Sequence, residues 1–382
     1  MLAVMWWSPL IVRLKALVAG APHPRRRVRL ATPGRGPMRV VYDKAVVHET
    51  FSFKARVLQR TARLVFKPLL QYTPINERAF LRIQRLDRLS ERRRRSPHIT
   101  FEARSLGGVR VEEMRHGYGP DSEMTLLYLH GGGFFSGSIV THRRICERLA
   151  LKTGATVISV DYVQLPEGSV ADSVHDVITA YAALLEESAH PEKIVVAGDS
   201  AGGYLTMKIA ELATRRGLQA PAALLGFSPL LSVDPDREDK AVVRLTRSRD
   251  AYLPIKRIAK IRERWLPDGA AIEGYASPLH ASAYISSPTF FVAVEDEMLR
   301  PEVEAMALLL SERGVEVETH IWRKQVHAFP VLADVLPESD MALQLAAEFA
   351  RRSVGELDHE PTVDPDSHEE TIAAEVVPDS AA

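Results

Sequence analysis

The chain has 382 residues, of which 46% are apolar and 26% charged, and its 49 basic residues are balanced by 49 acidic ones. This composition is typical of a soluble globular protein, and the single cysteine, Cys146, excludes an intramolecular disulfide framework and a cysteine-rich metal site. The charge is unevenly distributed, because residues 1–100 contain 22 Lys and Arg against 5 Asp and Glu.

Residues 1–37 are predicted to be flexible, or to be an over-extended start of the chain. Their first twelve residues are mostly apolar, but Arg13 and Lys15 end this run well short of a membrane-spanning length. In a signal peptide the positive charge precedes the apolar run, whereas here it follows. We therefore expect a cytoplasmic protein, with contact to a membrane surface left open.

Residues 38–100 are predicted to form a basic helical segment, in which apolar and basic residues recur at helical spacing on opposite faces. The apolar stripe comprises Leu58, Ala62, Val65 and Leu69, and the basic stripe comprises Arg56, Arg60, Arg63 and Lys67. The basic stripe either rests on an anionic membrane while the apolar stripe packs on a cap over the active site, or is an ordinary solvated face. No nucleic-acid recognition motif accompanies the arginines, so nucleic-acid binding is not expected.

Residues 101–354 are predicted to form one α/β domain, because strand-like and helical patterns alternate. Short apolar runs rich in β-branched residues occur at 125–129, 156–161, 193–197, 222–227, 289–294 and 315–321. Strands buried on both faces have continuous apolar sequences, so a mainly parallel sheet covered by helices is expected. Residues 234–274 interrupt the alternation and are a candidate cap insert. Residues 355–382, which are acidic and lack aromatic side chains, are predicted to be disordered.

A candidate nucleophile lies where the predicted strand at 193–197 runs into Gly198-Asp199-Ser200-Ala201-Gly202, followed by a helical pattern. The sequence G-x-S-x-G at a strand-to-helix junction is typical of a nucleophile elbow. Its small flanking residues allow a strained turn that exposes the serine hydroxyl. Ser200 is therefore the candidate nucleophile.

A glycine-rich segment follows the predicted strand at 125–129, with the sequence His130-Gly131-Gly132-Gly133-Phe134. Acyl transfer develops a negatively charged oxygen that backbone N–H groups stabilise, and consecutive glycines allow several N–H groups to turn toward one point. A phosphate-binding loop is the alternative, but neither the P-loop pattern nor the dinucleotide-binding pattern is present.

The combination of HGGGF and GDSAGG resembles the hormone-sensitive-lipase-type (α/β-hydrolase fold-3) esterases, and the resemblance covers roughly residues 125–349. It implies an α/β-hydrolase fold with a mostly parallel eight-stranded sheet, helices on both faces and a helical cap. The N-terminal helices and the insert would form that cap. The resemblance implies neither a cofactor nor a metal.

The same resemblance implies roles for the residues around the nucleophile. The oxyanion hole would be formed by the backbone N–H groups of Gly131, Gly132, Gly133 and Ala201, with the second and third glycines favoured. His130 is interpreted as a structural anchor for this loop. Phe134 and Asp199 are assigned to the substrate pocket, with Phe134 expected to pack against substrate or cap.

The general base and its acid are expected after the last two predicted strands. His327 lies in Val326-His327-Ala328-Phe329, which resembles the family's H-G-F, and it follows the chain order Ser, acid, His of this fold. Aligning the family's acid-x-L-R without a gap places Glu297 as the acid, and Asp296 is the alternative.

The resulting hypothesis is a serine carboxylic ester hydrolase that acts through an acyl-enzyme on small-molecule esters with short- to medium-chain acyl groups. Amidase or deacetylase activity on the same residues is an alternative. A non-catalytic ligand-binding protein, such as the plant gibberellin receptors that resemble these esterases but lack the catalytic histidine, is disfavoured because His327 is present.

Overall fold

The computed structural model describes residues 42–87, 95–117, 122–234, 249–267 and 271–357. The flexible segment predicted for residues 1–37, and most of the disordered tail predicted for residues 355–382, lie outside these ranges. Within them, no helix has both the length and the apolar character needed to cross a membrane.

Nine strands in the described ranges form one sheet in the order β1-β9-β8-β7-β6-β4-β5-β3-β2. The strands are β1 (Val46–His48), β2 (Ile99–Leu106), β3 (Val109–His116), β4 (Thr125–Leu129), β5 (Thr156–Val160), β6 (Ile194–Asp199), β7 (Ala223–Phe227), β8 (Thr289–Val294) and β9 (Val317–Trp322). Only the β2–β3 and β3–β5 pairs are antiparallel. The predicted mostly parallel sheet is confirmed, but it has nine strands rather than eight, because β1 adds an edge strand beside β9.

The α-helices of the described ranges are α1 (Phe53–Thr61), α2 (Lys67–Tyr72), α3 (Glu77–Asp87), α4 (Ile139–Thr153), α5 (Val170–Glu187), α6 (Ala201–Arg216), α7 (Ile258–Trp265), α8 (Arg300–Glu312) and α9 (Pro337–Ser353). A π-helical turn, Ala62–Phe66, joins α1 to α2. Helix α5 begins at a capping box in which the side chains of Ser169 and Asp172 each accept a hydrogen bond from the other residue's backbone N–H.

The central strands are buried on both faces, as their continuous apolar sequences predict. In β6, Ile194 and Val196 belong to one apolar cluster, and Val195 and Ala197 belong to the other. Helices α5, α6 and α8 contribute side chains to the first cluster, and α4 and α9 contribute to the second. The predicted helices on both faces of the sheet are therefore confirmed.

Two segments that are distant in sequence meet beside the site described below. One is α1 to α3, and the other is residues 249–267, which contain α7. The side chain of Lys67 donates to the backbone carbonyl of Asp250, and that of Arg257 donates to the carbonyl of Gln71 at 2.8 Å. Buried or partly buried hydrogen bonds from cationic side chains thus join the N-terminal helices to the insert.

The helical segment that follows α1 does not keep the orientation that the sequence pattern predicted. Leu58 and Ala62 are buried as expected, but Val65 and Leu69 are each 53% exposed, while Lys67 of the predicted basic face is buried. A π-helical turn contains more residues than an α-helical one, so the side chains beyond Ala62 are rotated about the helix axis. The predicted apolar stripe is therefore split between the protein interior and solvent.

Candidate active site

Ser200 lies in a strained turn between β6 and α6, with φ 51° and ψ −114°, a conformation that non-glycine residues rarely adopt. Its N–H donates to the carbonyl of Phe227 at 3.0 Å. The neighbouring chain is closely packed, since a Cβ on Gly202 would lie 1.9 Å from the carbonyl oxygen of Leu129. The small residues of the G-x-S-x-G sequence are thus required by the close approach of the backbone.

The imidazole of His327 lies between Ser200 and Glu297. Its Nε2 is 2.9 Å from Ser200 Oγ, and its Nδ1 is 2.8 Å from Glu297 Oε2. Because an ionised carboxylate only accepts hydrogen bonds, Nδ1 carries the proton, and the lone pair of Nε2 faces the serine hydroxyl. This arrangement allows the imidazole to accept the proton of Ser200.

Of the two candidate acids, the structure brings Glu297 to His327. The other oxygen of Glu297, Oε1, accepts a hydrogen bond from the N–H of Val294 at 2.8 Å, and the side chain is buried. The carboxylate of Asp296 instead lies 3.9 Å from the guanidinium of Arg249.

The residue after the histidine, Ala328, departs from the family pattern but keeps the backbone conformation that favours glycine. Ala328 occupies the position where the family has glycine, and its φ is 51°, in the left-handed region that glycine adopts without strain. The N–H of Ala328 donates to Ser228 Oγ at 3.2 Å, which helps to hold this conformation.

The glycine loop fixes the orientation of two N–H groups that border Ser200. His130 Nδ1 donates to the carbonyl of Gly131 at 3.0 Å, and Ser136 Oγ donates to the carbonyl of Gly132 at 2.9 Å. In a trans peptide the N–H of the next residue points away from the carbonyl. These bonds therefore fix the directions of the N–H groups of Gly132 and Gly133, as an oxyanion hole requires.

The expectation for Gly131 is corrected, because its own N–H donates to Asp199 Oδ1 at 2.9 Å and is not available to an oxyanion. Ala201 lines the same cleft as Gly132 and Gly133, directly after the nucleophile. The predicted hole is thus reduced from four N–H groups to three.

Asp199 borders the cleft, but its carboxylate serves the glycine loop rather than a substrate. Besides Gly131, it accepts a hydrogen bond from Tyr128 Oη at 2.8 Å and lies 3.2 Å from His142 Nε2. Burial opposes its ionisation, yet His142 and the hydrogen-bond donors hold the pKa of Asp199 below its ordinary value. Asp199 thus lines the cleft, as the sequence analysis expected, and its carboxylate anchors the glycine loop.

His130 is the loop anchor that the sequence indicated. Its ring is buried and stacks on that of Tyr162, with centroids 4.4 Å apart. Burial and the neighbouring His142 lower its pKa from 6.5 to about 3, so the ring stays neutral at physiological pH.

Phe134 does not line the cleft, which corrects its assignment to the substrate pocket. Its ring is fully buried and packs edge-on against Tyr204 and against Trp265 of the insert, with centroids 5.9 and 5.7 Å away. The adjacent Phe135 lines the cleft instead. When two phenylalanines are adjacent in the sequence, no local signal indicates which of them lines the cleft.

The cleft is about 1300 Å³, including its opening to solvent, and its walls are mainly apolar. One wall consists of residues from α1 to α3, namely Leu58, Ala62, Phe66, Leu70 and Ile83, and another of residues from the insert, namely Tyr252, Leu253, Pro254, Ile258, Ile261 and Trp265. Such a lining favours apolar groups on both sides of a scissile bond. Within the described ranges, no cluster of three or more His, Cys, Asp or Glu side chains could hold a metal ion.

The sequence analysis missed two residues of the insert that contact the site. The ring of Tyr252 stacks over His327, with centroids 6.2 Å apart and planes inclined by 22°. The buried carboxylate of Asp250 accepts a hydrogen bond from the N–H of Met298 at 2.9 Å, directly beside Glu297. Neither residue belongs to a motif, so no sequence signal identifies them.

Comparison with known proteins gives consistent results. A family model described as alpha/beta hydrolase fold matches residues 126–331, more than half of the chain. The chain is 30% identical to an acetyl-hydrolase of Streptomyces hygroscopicus over 232 residues, which are 61% of this chain and 77% of that protein. It is 32% identical to esterase LipU of Mycobacterium tuberculosis over 237 residues, 60% of this chain and 78% of LipU.

Among solved structures, an esterase from the bacterial hormone-sensitive lipase family is 25% identical, with a TM-score of 0.68. The match covers 80% of this chain and all of that one. The esterase EstE5, from a crystal soaked with p-nitrophenyl butyrate, is also 25% identical, with a TM-score of 0.69 and coverage of 80% and 99%.

Proposed function

The chain belongs to the hormone-sensitive-lipase-type family of α/β hydrolases and is a carboxylic ester hydrolase, and we propose that Ser200, His327 and Glu297 carry out its chemistry. The observation that supports this proposal most directly is the placement of His327 Nε2 2.9 Å from Ser200 Oγ while Nδ1 is held by Glu297. A nucleophile, a base and an orienting carboxylate in hydrogen-bond contact are the arrangement that acyl transfer needs.

In the proposed mechanism, Ser200 Oγ attacks the ester carbonyl carbon as His327 Nε2 takes the hydroxyl proton. The carbonyl oxygen becomes negatively charged and accepts hydrogen bonds from the N–H groups of Gly132, Gly133 and Ala201. The imidazolium then gives its proton to the departing alkoxide, which leaves an acyl-enzyme.

Hydrolysis of the acyl-enzyme repeats these steps with water. His327 removes a proton from the attacking water, the tetrahedral intermediate collapses, and the proton returns to Ser200 Oγ as the carboxylic acid leaves. Glu297 remains ionised throughout and stabilises the imidazolium.

We further propose esters with short- to medium-chain acyl groups, including aryl esters, as substrates, and the N-terminal helices together with the insert as the cap of the cleft. The mainly apolar walls that these two segments contribute support both points. The cytoplasmic location inferred from the first residues stays a prediction.

A panel of p-nitrophenyl esters with acyl chains of two to sixteen carbons, measured beside an aryl acetamide, tests the proposal. Activity should be highest for the shorter chains, and Ser200→Ala should abolish it without changing the melting temperature substantially. An organophosphonate should label Ser200 in the wild-type protein. Retained turnover by purified Ser200→Ala, or labelling at another serine, would contradict the assignment.

A further inference from the structure

The outward side of the segment from α1 to α2 is unusually apolar for a protein surface. Leu64, Val65, Leu69 and Tyr72 are 74%, 53%, 53% and 83% exposed. With Phe53, this segment supplies half of the large apolar side chains that are strongly exposed in the described part of the chain. Such clustering, as opposed to scattered single residues, indicates an interaction surface.

A basic pocket adjoins this apolar surface. It is lined by Arg56, Gln59, Arg60 and Arg63 of the same segment, by Phe51 and by Lys324. Four of these six residues are cationic and none is acidic. Lys324 comes from the loop between β9 and His327, so the pocket joins the cap to the loop that carries the candidate base.

The opposite side of the same segment lines the active-site cleft. Leu58, Ala62, Phe66 and Leu70 all face that cleft. One helical segment therefore separates the cleft from the apolar and basic outer surface, and anything bound outside lies one helix diameter, about 10 Å, from the cleft wall.

We propose that Arg56, Arg60, Arg63 and Lys324, together with Leu64, Val65, Leu69 and Tyr72, form an outer cap surface that docks on an anionic phospholipid bilayer. Lipid phosphate groups pair with the cationic pocket, and the apolar side chains enter the boundary between headgroups and acyl chains. Basic and apolar residues side by side on one helical segment are the combination that such an interface binds.

Charge and composition argue against the two ends of this chain and against a second copy as occupants of this surface. Residues 1–41 carry eight Lys and Arg and no acidic residue, so the basic pocket repels them, and it repels the same surface of a second copy. Residues 358–382 are acidic, but they contain no aromatic residue, Leu or Met and offer little to cover the exposed apolar side chains.

The test is sedimentation of the full chain with phosphatidylcholine vesicles, with and without phosphatidylglycerol. Wild type should bind the anionic vesicles, bind the neutral ones much more weakly, and detach as salt rises. Each cation at an anionic surface contributes about fivefold in affinity. Arg56→Glu/Arg60→Glu should therefore bind about thirtyfold more weakly or worse, and Leu64→Ser/Leu69→Ser should also lose binding.

A matched control is Arg110→Glu/Arg115→Glu, an equal change of charge at two exposed residues of β3. This strand lies toward the other edge of the sheet from β9, and the control variant should bind like wild type.

Equal losses of binding in the control variant, or equal binding of wild type to both kinds of vesicle, would overturn the proposal. So would binding that appears only in a chain ending at Leu357, which would identify the acidic tail as the occupant. Vesicle binding is measured without hydrolysis, so failure here is distinguishable from failure of the proposed chemistry.

Discussion

The carboxylate of Glu297 accepts a hydrogen bond from the N–H of Val294, three residues earlier at the end of β8, at 2.8 Å. This bond uses Oε1 and leaves Oε2 for His327. The end of β8 thus holds the carboxylate of Glu297 in place, and this side chain is buried away from solvent. The orientation of the imidazole is therefore set by a turn of four residues rather than by a free side chain.

Neutralising Glu297 should reduce turnover far more than neutralising its neighbour. Glu297→Gln keeps the shape but loses the charge that stabilises the imidazolium, so kcat should fall by about 10³–10⁴. Asp296→Asn should reduce kcat by no more than about tenfold, because the carboxylate of Asp296 does not contact the imidazole and stabilises the imidazolium only over a longer distance. Steady-state kinetics on a p-nitrophenyl ester measures both, and the reversed ranking would show that Asp296 is the acid.

The indole of Trp265 should contribute to turnover through the glycine loop. Its Nε1 donates to the carbonyl of Gly133 at 2.9 Å, so the insert holds the peptide that follows the proposed oxyanion hole. Trp265→Phe removes this bond, which contributes about 0.5–1.5 kcal/mol, and kcat should fall by about two- to twelvefold.

Trp322→Phe is the matched control for this prediction. Trp322 is equally buried, but its Nε1 has no hydrogen-bond partner among the described residues. We expect the control variant to lose stability but to keep its kcat at a temperature where it remains folded. A similar fall of kcat in both variants would show that loss of packing, rather than the Gly133 bond, is responsible.

Burial of His130 should make the protein less stable as the pH falls. Its pKa of about 3 in the folded protein lies below the ordinary 6.5, so between these values the unfolded chain binds a proton that the folded one excludes. The free energy of unfolding should therefore rise with pH across this window. The slope from one such group is at most about 1.4 kcal/mol per pH unit.

Urea unfolding at pH 7, 6 and 5 measures this slope. His130→Phe keeps a ring against Tyr162 but removes the titrating group, so its free energy of unfolding should depend less on pH than that of wild type. His175→Phe, which replaces an exposed histidine of α5, should leave the slope unchanged. An unchanged slope in His130→Phe would show that other groups cause the loss of stability in acid.

Some elements were predictable because their signals are local. The bounds of β4 and β8 agree with the sequence analysis, since each is a continuous apolar run with clear end signals. Strands β1, β2 and β3 were missed, and β1 has only three residues. Strands β2 and β3 carry charged side chains such as Arg104 and Glu113, which pair across the two strands at 2.7 Å, so neither has the apolar run by which β4 to β9 were found.

The sequence by itself determined the family, the parallel sheet, the candidate nucleophile and the candidate base, because strand-end motifs are contiguous and their chemistry depends on residue type. Only the tertiary structure decided which glycine N–H groups are free and which carboxylate reaches His327. The N–H of Gly131 is engaged by Asp199, 68 residues away, and Glu297 meets His327 across 30 residues. A hydrogen bond forms only when folding brings the donor and the acceptor within about 3 Å of each other. For residues far apart in the sequence, no local pattern specifies which pairs come that close.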